Sequence, residues 1–195
     1  MLSGRFQHSN YLIRRKVFKL FGGAFHVYDP AGQVVLFASM KAFKLKEDIR
    51  LYDNEEKHAE LLLIQARRVL DFSAEYDVTD SQTGEKVGVL KRKGLKSMVR
   101  DEWILMDRTD QPIGSIKEDS TAMALIRRFI PFANLIPQEY AGEIRGAPVC
   151  SFKQNFNPFV MKISLDFSSD VNRLLDRRLG LAAAVLLCAI EGKQD

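Results

Sequence analysis

Basic side chains form one dense run in the middle of the chain: Lys86, Lys91, Arg92, Lys93, Lys96 and Arg100. No acidic residue lies within residues 86–100, and Gly94 lies inside the run, where a tight turn would bring several cations together. Clustered ammonium and guanidinium groups attract phosphate groups. The run is therefore a candidate ligand-binding site for an anionic headgroup or an acidic or phosphorylated partner. A solvated, lysine-rich hairpin is the alternative that stays open, and no nucleic acid is expected.

A second basic cluster, Arg14, Arg15 and Lys16, lies near the start of the chain. It would strengthen a phosphate site only if the fold brought the two clusters together. A third basic segment, Arg127 and Arg128, precedes bulky apolar residues. Such a segment is typical either of an element at a membrane interface or of a connecting helix packed over the end of a fold.

Residues that would support catalysis are sparse. His8, His26 and His58 have no Cys, Glu or His at metal-ligand spacing, and no Gly-x-Ser-x-Gly motif or glycine-rich phosphate loop occurs. The sequence therefore predicts a non-enzymatic protein with no catalytic residue, metal or cofactor.

Length and composition indicate one domain. The chain has 195 residues, 46% of them hydrophobic, and a net charge of +4. No Gly/Ser-rich or Pro-rich linker divides residues 10–195, and residues 1–9 are predicted to be a loose lead-in. Cys150 and Cys188 are expected to be free buried thiols in a reducing compartment. The first residues lack the apolar core of a secretory signal, which favours the cytoplasm.

Short strands separated by turns fill most of the chain. The clearest is 159–167, where Phe159, Met161, Ile163, Leu165 and Phe167 share one face. Turn sequences such as Asp-Pro-Ala-Gly at 29–32 separate many of the strands. The other predicted strands are 11–18, 24–28, 33–42, 49–52, 73–79, 86–91, 95–99, 103–106, 113–117, 139–145 and 149–155, while the apolar run 61–64 fits a strand or a helix equally. A turn is expected at 146–148 and a short connecting helix at 121–129.

The last part of the chain predicts a helix over residues 168–190. Ser168, Ser169 and Asp170 are typical helix N-cap residues, and residues 179–190 are apolar without interruption. A helix that is apolar on every side is buried in a core or in a membrane, and this run is shorter than the roughly 20 residues that span a bilayer. We therefore predict a mainly β (α+β) fold, with about twelve antiparallel strands in a closed barrel around a hydrophobic C-terminal helix and no transmembrane span.

Three segments also carry a family resemblance. They are Tyr76-Asp77-Val78 through Trp103-Ile104-Leu105-Met106-Asp107, then Ile113-Gly114-Ser115-Ile116-Lys117-Glu118-Asp119-Ser120, and Ile163-Ser164-Leu165-Asp166-Phe167 leading into the apolar helix. In this order the chain resembles the tubby-like C-terminal barrel group, within it the LURP-one-related and phospholipid-scramblase-like proteins. The resemblance implies a twelve-stranded barrel with a hydrophobic helix in its lumen.

The chain departs from the scramblase-like pattern just before the last strand. The acidic calcium segment of those proteins is matched here by Asn155-Phe156-Asn157-Pro158, which has no carboxylate. No binding residue is carried over from the family. The resemblance and the basic clusters together predict a binding module for anionic lipid headgroups or an acidic partner, cytoplasmic or peripheral at the membrane. A scramblase-like lipid-handling protein and a protein-interaction scaffold remain the alternatives.

Overall fold

A computed structural model describes residues 3–16, 23–40, 48–70, 73–93, 102–118, 137–155 and 160–191. Twelve antiparallel strands form one closed barrel, in which each strand pairs with its neighbours in sequence and the first strand pairs with the twelfth. The predicted fold class, a mainly β closed barrel with a helix near the C-terminus, is confirmed.

The strands are β1 (Asn10–Lys16), β2 (Gly23–Tyr28), β3 (Val34–Met40), β4 (Ile49–Tyr52), β5 (Glu60–Leu70), β6 (Ser73–Asp80), β7 (Lys86–Arg92), β8 (Glu102–Met106), β9 (Pro112–Glu118), β10 (Glu139–Ile144), β11 (Ala147–Asn155) and β12 (Lys162–Asp166). One helix, α1 (Arg177–Glu191), follows β12, and a short 3-10 helix (Gly4–Phe6) precedes β1. The ambiguous run 61–64 belongs to the long strand β5.

Helix α1 lies inside the barrel and contacts β1, β7 and β12. Every residue from Arg178 to Ala189 is buried, which accounts for the absence of a polar stripe along the helix. The strands meet it with alternate side chains, such as Ile163 and Leu165 of β12. The side chains in the intervening positions lie on the outer surface of the barrel: Lys162, Ser164 and Asp166. The barrel therefore has an apolar lumen and a polar exterior.

The predicted start of the helix at residue 168 is wrong, because α1 begins at Arg177. Asp176 caps it, accepting a hydrogen bond at its Oδ1 from the Arg178 amide at 2.9 Å. Asp170 orders the preceding loop instead: its two carboxylate oxygens accept hydrogen bonds from the amides of Leu174 at 2.8 Å and Leu175 at 3.1 Å. Such local bonds from Asp side chains compete with helix formation.

Two further differences concern turns and the chain start. The turn predicted at 146–148 lies at Arg145 and Gly146, and β11 already begins at Ala147. Residues 5 and 6 of the predicted loose lead-in, 1–9, are attached to the barrel. Phe6 is buried, and the Arg5 guanidinium donates hydrogen bonds to the carbonyl oxygens of Val35 at 2.8 Å and Asp53 at 2.7 Å. The predicted strand 95–99, the predicted helix 121–129 with Arg127 and Arg128, and Phe159 lie outside the described residues.

Within the described ranges, no helix is both long and apolar enough to cross a bilayer.

Candidate functional site

Lysines of the basic run on β7 lie beside carboxylates of neighbouring strands. Lys91 Nζ lies 2.7 Å from a Glu75 carboxylate oxygen, and Lys93 Nζ lies 2.8 Å from Glu102. Lys86 Nζ lies 3.3 Å from an oxygen of Asp77 and 2.5 Å from one of Asp110. An incoming phosphate would therefore compete with a carboxylate at each of these lysines. Arg92 ends β7, and Lys96 and Arg100 lie outside the described residues.

The two basic clusters lie on opposite walls of the barrel. In the closed order of twelve strands, β1 and β7 are six strands apart in either direction. The structure therefore does not bring Arg14, Arg15 and Lys16 next to the β7 lysines.

The cluster on β1 is divided by strand alternation. Tyr11 and Ile13 are buried toward the lumen, so Arg15 belongs to the lumen-facing set, whereas Arg14 and Lys16 face outward. Lys16 Nζ lies 2.7 Å from a carboxylate oxygen of Glu55. Of this cluster, Arg14 is the exposed cation on the outer wall that has no acidic partner among the described residues.

Arg14 lies directly opposite a second cation, Lys162 of β12. The Arg15 amide donates a hydrogen bond to the Met161 carbonyl at 2.9 Å, so the Arg14–Lys162 pair is a non-hydrogen-bonded one, with Cα atoms about 4.5 Å apart and side chains close together. Lys162 also lacks a carboxylate partner in the part of the chain that the structure describes. Like charges directly opposite each other destabilise a sheet unless something lies between them.

These two cations line a groove of about 680 Å³ on the outer wall. Outward-facing residues of four neighbouring strands form its floor in three cross-strand rows. The rows are Lys162–Arg14, Lys153–Ser164–Leu12–Tyr28 and Ser151–Asp166–Asn10. The turn that follows β2, with Asp29, Pro30 and Gly32, forms one side. The third cation of the groove, Lys153, lies 2.6 Å from Glu139.

The groove has one cationic and one acidic end. Arg14 and Lys162 lie together in one row, whereas Asp166 lies two rows away and Asp29 lies in the turn beyond Tyr28. The sequence did not single out Lys162, Asp166 or Asp29 as site residues. The available signal was the predicted alternation along 159–167, which puts residues 162, 164 and 166 on the face opposite Ile163 and Leu165. The pairing of β12 with β1 was needed to place them beside Arg14.

The two cysteines of the described chain are buried. Burial raises the pKa of both Cys150 and Cys188 to about 12, so neither thiol forms a nucleophilic thiolate near neutral pH. No group of three or more His, Cys, Asp or Glu side chains in the described ranges could hold a metal ion. Among the described residues, the groove is therefore the best candidate site, and its cations, hydroxyl groups and carboxylates are suited to binding a polar ligand.

Comparisons with known proteins gave no assignment: no family model, no curated protein and no solved structure matches the chain. The resemblance to the tubby-like group stays a prediction from the sequence motifs. A shared fold would not assign a function in any case, because function depends on the sites that a fold carries.

Proposed function

We propose that this protein is a non-enzymatic binding module, of the LURP-one-related type suggested by its sequence, that captures the phosphate of an anionic lipid headgroup in the outer groove. One observation carries the proposal. Arg14 and Lys162 lie directly opposite each other on neighbouring strands, both line the groove, and neither has a carboxylate partner among the described residues.

A phosphate between Arg14 and Lys162 would convert a repulsive pair into an attractive one. The planar guanidinium of arginine binds two phosphate oxygens at once, and the lysine ammonium acts as a compact charge beside it. The hydroxyl groups of Ser164 and Tyr28, one row away, add hydrogen-bond donors to the same groove. Each cation near an anionic membrane surface contributes about 1 kcal/mol, so the binding is weak and salt-sensitive.

A lipid-handling activity of the scramblase kind receives less support. It would require α1 to leave the lumen, where the described residues from Arg178 to Ala189 are all buried. It would also expose to water the apolar side chains of the strands that now cover the helix. Headgroup capture in the groove needs no such rearrangement.

Co-sedimentation with vesicles tests the proposal. Wild type is compared with R14Q/K162Q on phosphatidylcholine vesicles with and without phosphatidic acid, at low and at physiological salt. The matched control is K91Q/K93Q, which removes the same charge from the opposite wall. We expect wild type and the control to pellet with anionic vesicles only, less at higher salt, and R14Q/K162Q to remain in solution.

Two outcomes would contradict the proposal. If R14Q/K162Q pellets like wild type while K91Q/K93Q does not, the β7 run is the headgroup site. If wild type pellets with no vesicle and soluble glycerol 3-phosphate produces no binding heat, the groove does not bind phosphate.

A further inference from the structure

The end of the groove opposite Arg14 and Lys162 carries two carboxylates without cationic partners in the described chain, Asp166 and Asp29. Each accepts one backbone hydrogen bond at its Oδ1: Asp166 from the Ser168 amide at 2.7 Å and Asp29 from the Gln33 amide at 2.8 Å. The second oxygen of each carboxylate has no hydrogen-bond partner within the described ranges. Both carboxylates are thus held in place and can accept a hydrogen bond from a ligand.

Opposite charges elsewhere on this barrel neutralise each other locally. Lys91 pairs with Glu75, Lys117 with Glu143, and Arg50 with Glu60. In the groove, Lys153 has such a partner in Glu139, but Arg14 and Lys162 stay apart from Asp166, which lies between two neutral residues, Ser151 and Asn10, in its cross-strand row. The charges of the groove that lack a partner of opposite sign among the described residues are therefore separated, with two cations at one end and two carboxylates at the other.

On the basis of the phosphate site proposed above, we infer that the groove takes a dipolar ligand, a phosphate ester that also carries an ammonium group. The phosphate lies between Arg14 and Lys162, and the ammonium donates hydrogen bonds to Asp166 and Asp29. Serine and ethanolamine phosphates, free or as phospholipid headgroups, belong to this class. Hydrogen bonds between ionised partners are the strong ones, so the acidic end discriminates among anionic ligands.

The dimensions and the floor of the groove fit such a ligand. Lys162 and Asp166 are four residues apart on one strand and one face, a separation of about 13 Å between Cα atoms. The long side chains of Arg14 and Lys162 shorten the distance that the ligand itself must span. Leu12 lies in the row between the two charged ends and presents an apolar surface to the carbon atoms that link phosphate and ammonium.

The test compares two lipids of equal net charge. Phosphatidylserine carries an ammonium group and phosphatidylglycerol does not, so vesicles with the same fraction of either present a similar surface charge. We expect wild type to bind phosphatidylserine vesicles about tenfold more tightly or better, which is the lower end of the range for a hydrogen bond to a charged group.

The D166N variant is expected to prefer phosphatidylserine less than wild type does, because it loses one of the two carboxylates but keeps the oxygen that accepts the Ser168 hydrogen bond. The matched control, D107N, changes the net charge by the same amount in a turn outside the groove, and we expect it to retain the preference. The R14Q/K162Q variant is expected to bind neither phosphatidylserine nor phosphatidylglycerol vesicles.

The outcomes separate this inference from the proposed function. Equal binding of the two lipids by wild type, with binding lost in R14Q/K162Q, overturns the dipolar ligand and leaves the phosphate site standing. No binding of either lipid, or of soluble O-phosphoserine, overturns both. If O-phosphoserine binds more tightly than glycerol 3-phosphate while vesicles do not pellet the protein, the dipolar ligand stands and its source is a soluble compound.

Discussion

The side chain of Arg178 connects the first turn of α1 to Asp80, the last residue of β6. One guanidinium nitrogen donates to Asp80 Oδ2 at 2.6 Å and another to Asp176 Oδ2 at 2.6 Å, and the residue is 5% exposed. Replacement of Arg178 by Met preserves an unbranched side chain that can fill the site, but removes the charge and every donor. We expect R178M to unfold at lower denaturant concentration than wild type.

The expected loss follows from the bonds removed. A hydrogen bond to a charged group contributes about 1.5–3 kcal/mol, and removal of one partner of a buried pair costs about 3–5 kcal/mol. Asp80 keeps hydrogen bonds from the amides of Gln82 and Thr83, and the Asp176 side chain is 25% exposed, so water compensates in part. We therefore expect about 3 kcal/mol less free energy of unfolding, a fall in Tm of about 6–12 °C for a chain of this size.

Urea unfolding followed by fluorescence of Trp103, the single tryptophan, measures this loss. The control is R108M, which removes an exposed ion pair with Glu85 and should cost less than about 1 kcal/mol. If R178M loses no more stability than R108M, the network does not fasten the helix as argued.

The same network predicts a pH dependence. Burial alone would raise the pKa of Asp80, but hydrogen bonds from Arg178 and from the amides of Gln82 and Thr83 hold it below its ordinary value. A carboxyl with a lowered folded-state pKa contributes stability above its unfolded pKa of about 3.9, and this contribution is lost as the pH falls through the folded pKa. The stability difference between wild type and R178M should therefore narrow below about pH 4. A constant difference down to pH 2 would contradict this reasoning.

Three further predictions concern the barrel wall and lumen. A Cβ on residue 142 would lie 2.4 Å from Cys150 Sγ, so G142A should lose about 1–3 kcal/mol of unfolding free energy, and less in a C150A background; equal losses in both would exclude this clash as the cause. A thiol reagent at pH 8 should label neither Cys150 nor Cys188 in the folded protein and both in urea, because burial raises each pKa to about 12; rapid native labelling would show that the lumen is open. Lys91 and Lys93 form exposed ion pairs, so K91Q and K93Q should each change the unfolding free energy by less than about 1 kcal/mol, and a larger loss would show that these pairs are structural.

Local patterns in the sequence were sufficient to predict the barrel and its helix. Apolar and polar residues alternate along 162–166, and the run after Arg178 is apolar without interruption. In both segments the residue types alone indicate which side chains are buried. The start of α1 was not predictable in the same way. Ser168, Ser169 and Asp170 have the chemistry of an N-cap, but that chemistry serves equally to order a loop, and Asp170 does so.

The candidate site depends on strand register, which the sequence alone does not contain. The run on β7 has no acid within it, yet Glu75 lies opposite Lys91 because β6 pairs with β7. Conversely, Arg14 and Lys162 are far apart in sequence and meet because β1 pairs with β12. The density of basic residues along the chain therefore favoured the β7 lysines, although these have acidic neighbours in the fold. It did not identify Lys162, which forms with Arg14 the pair of cations that lacks acidic neighbours among the described residues.

The groove straddles the closure between β1 and β12, so it depends on contacts between the strands most distant in sequence. Arg14 and Lys162, which are far apart in the sequence, face each other only once β1 has paired with β12. Such contacts carry a large entropy cost and slow folding, so we expect the groove to be among the last features to assemble. A phosphate bound between Arg14 and Lys162 would bind the closed barrel and not the open one. It would therefore stabilise the pairing of the first and last strands, reversibly and in proportion to its concentration.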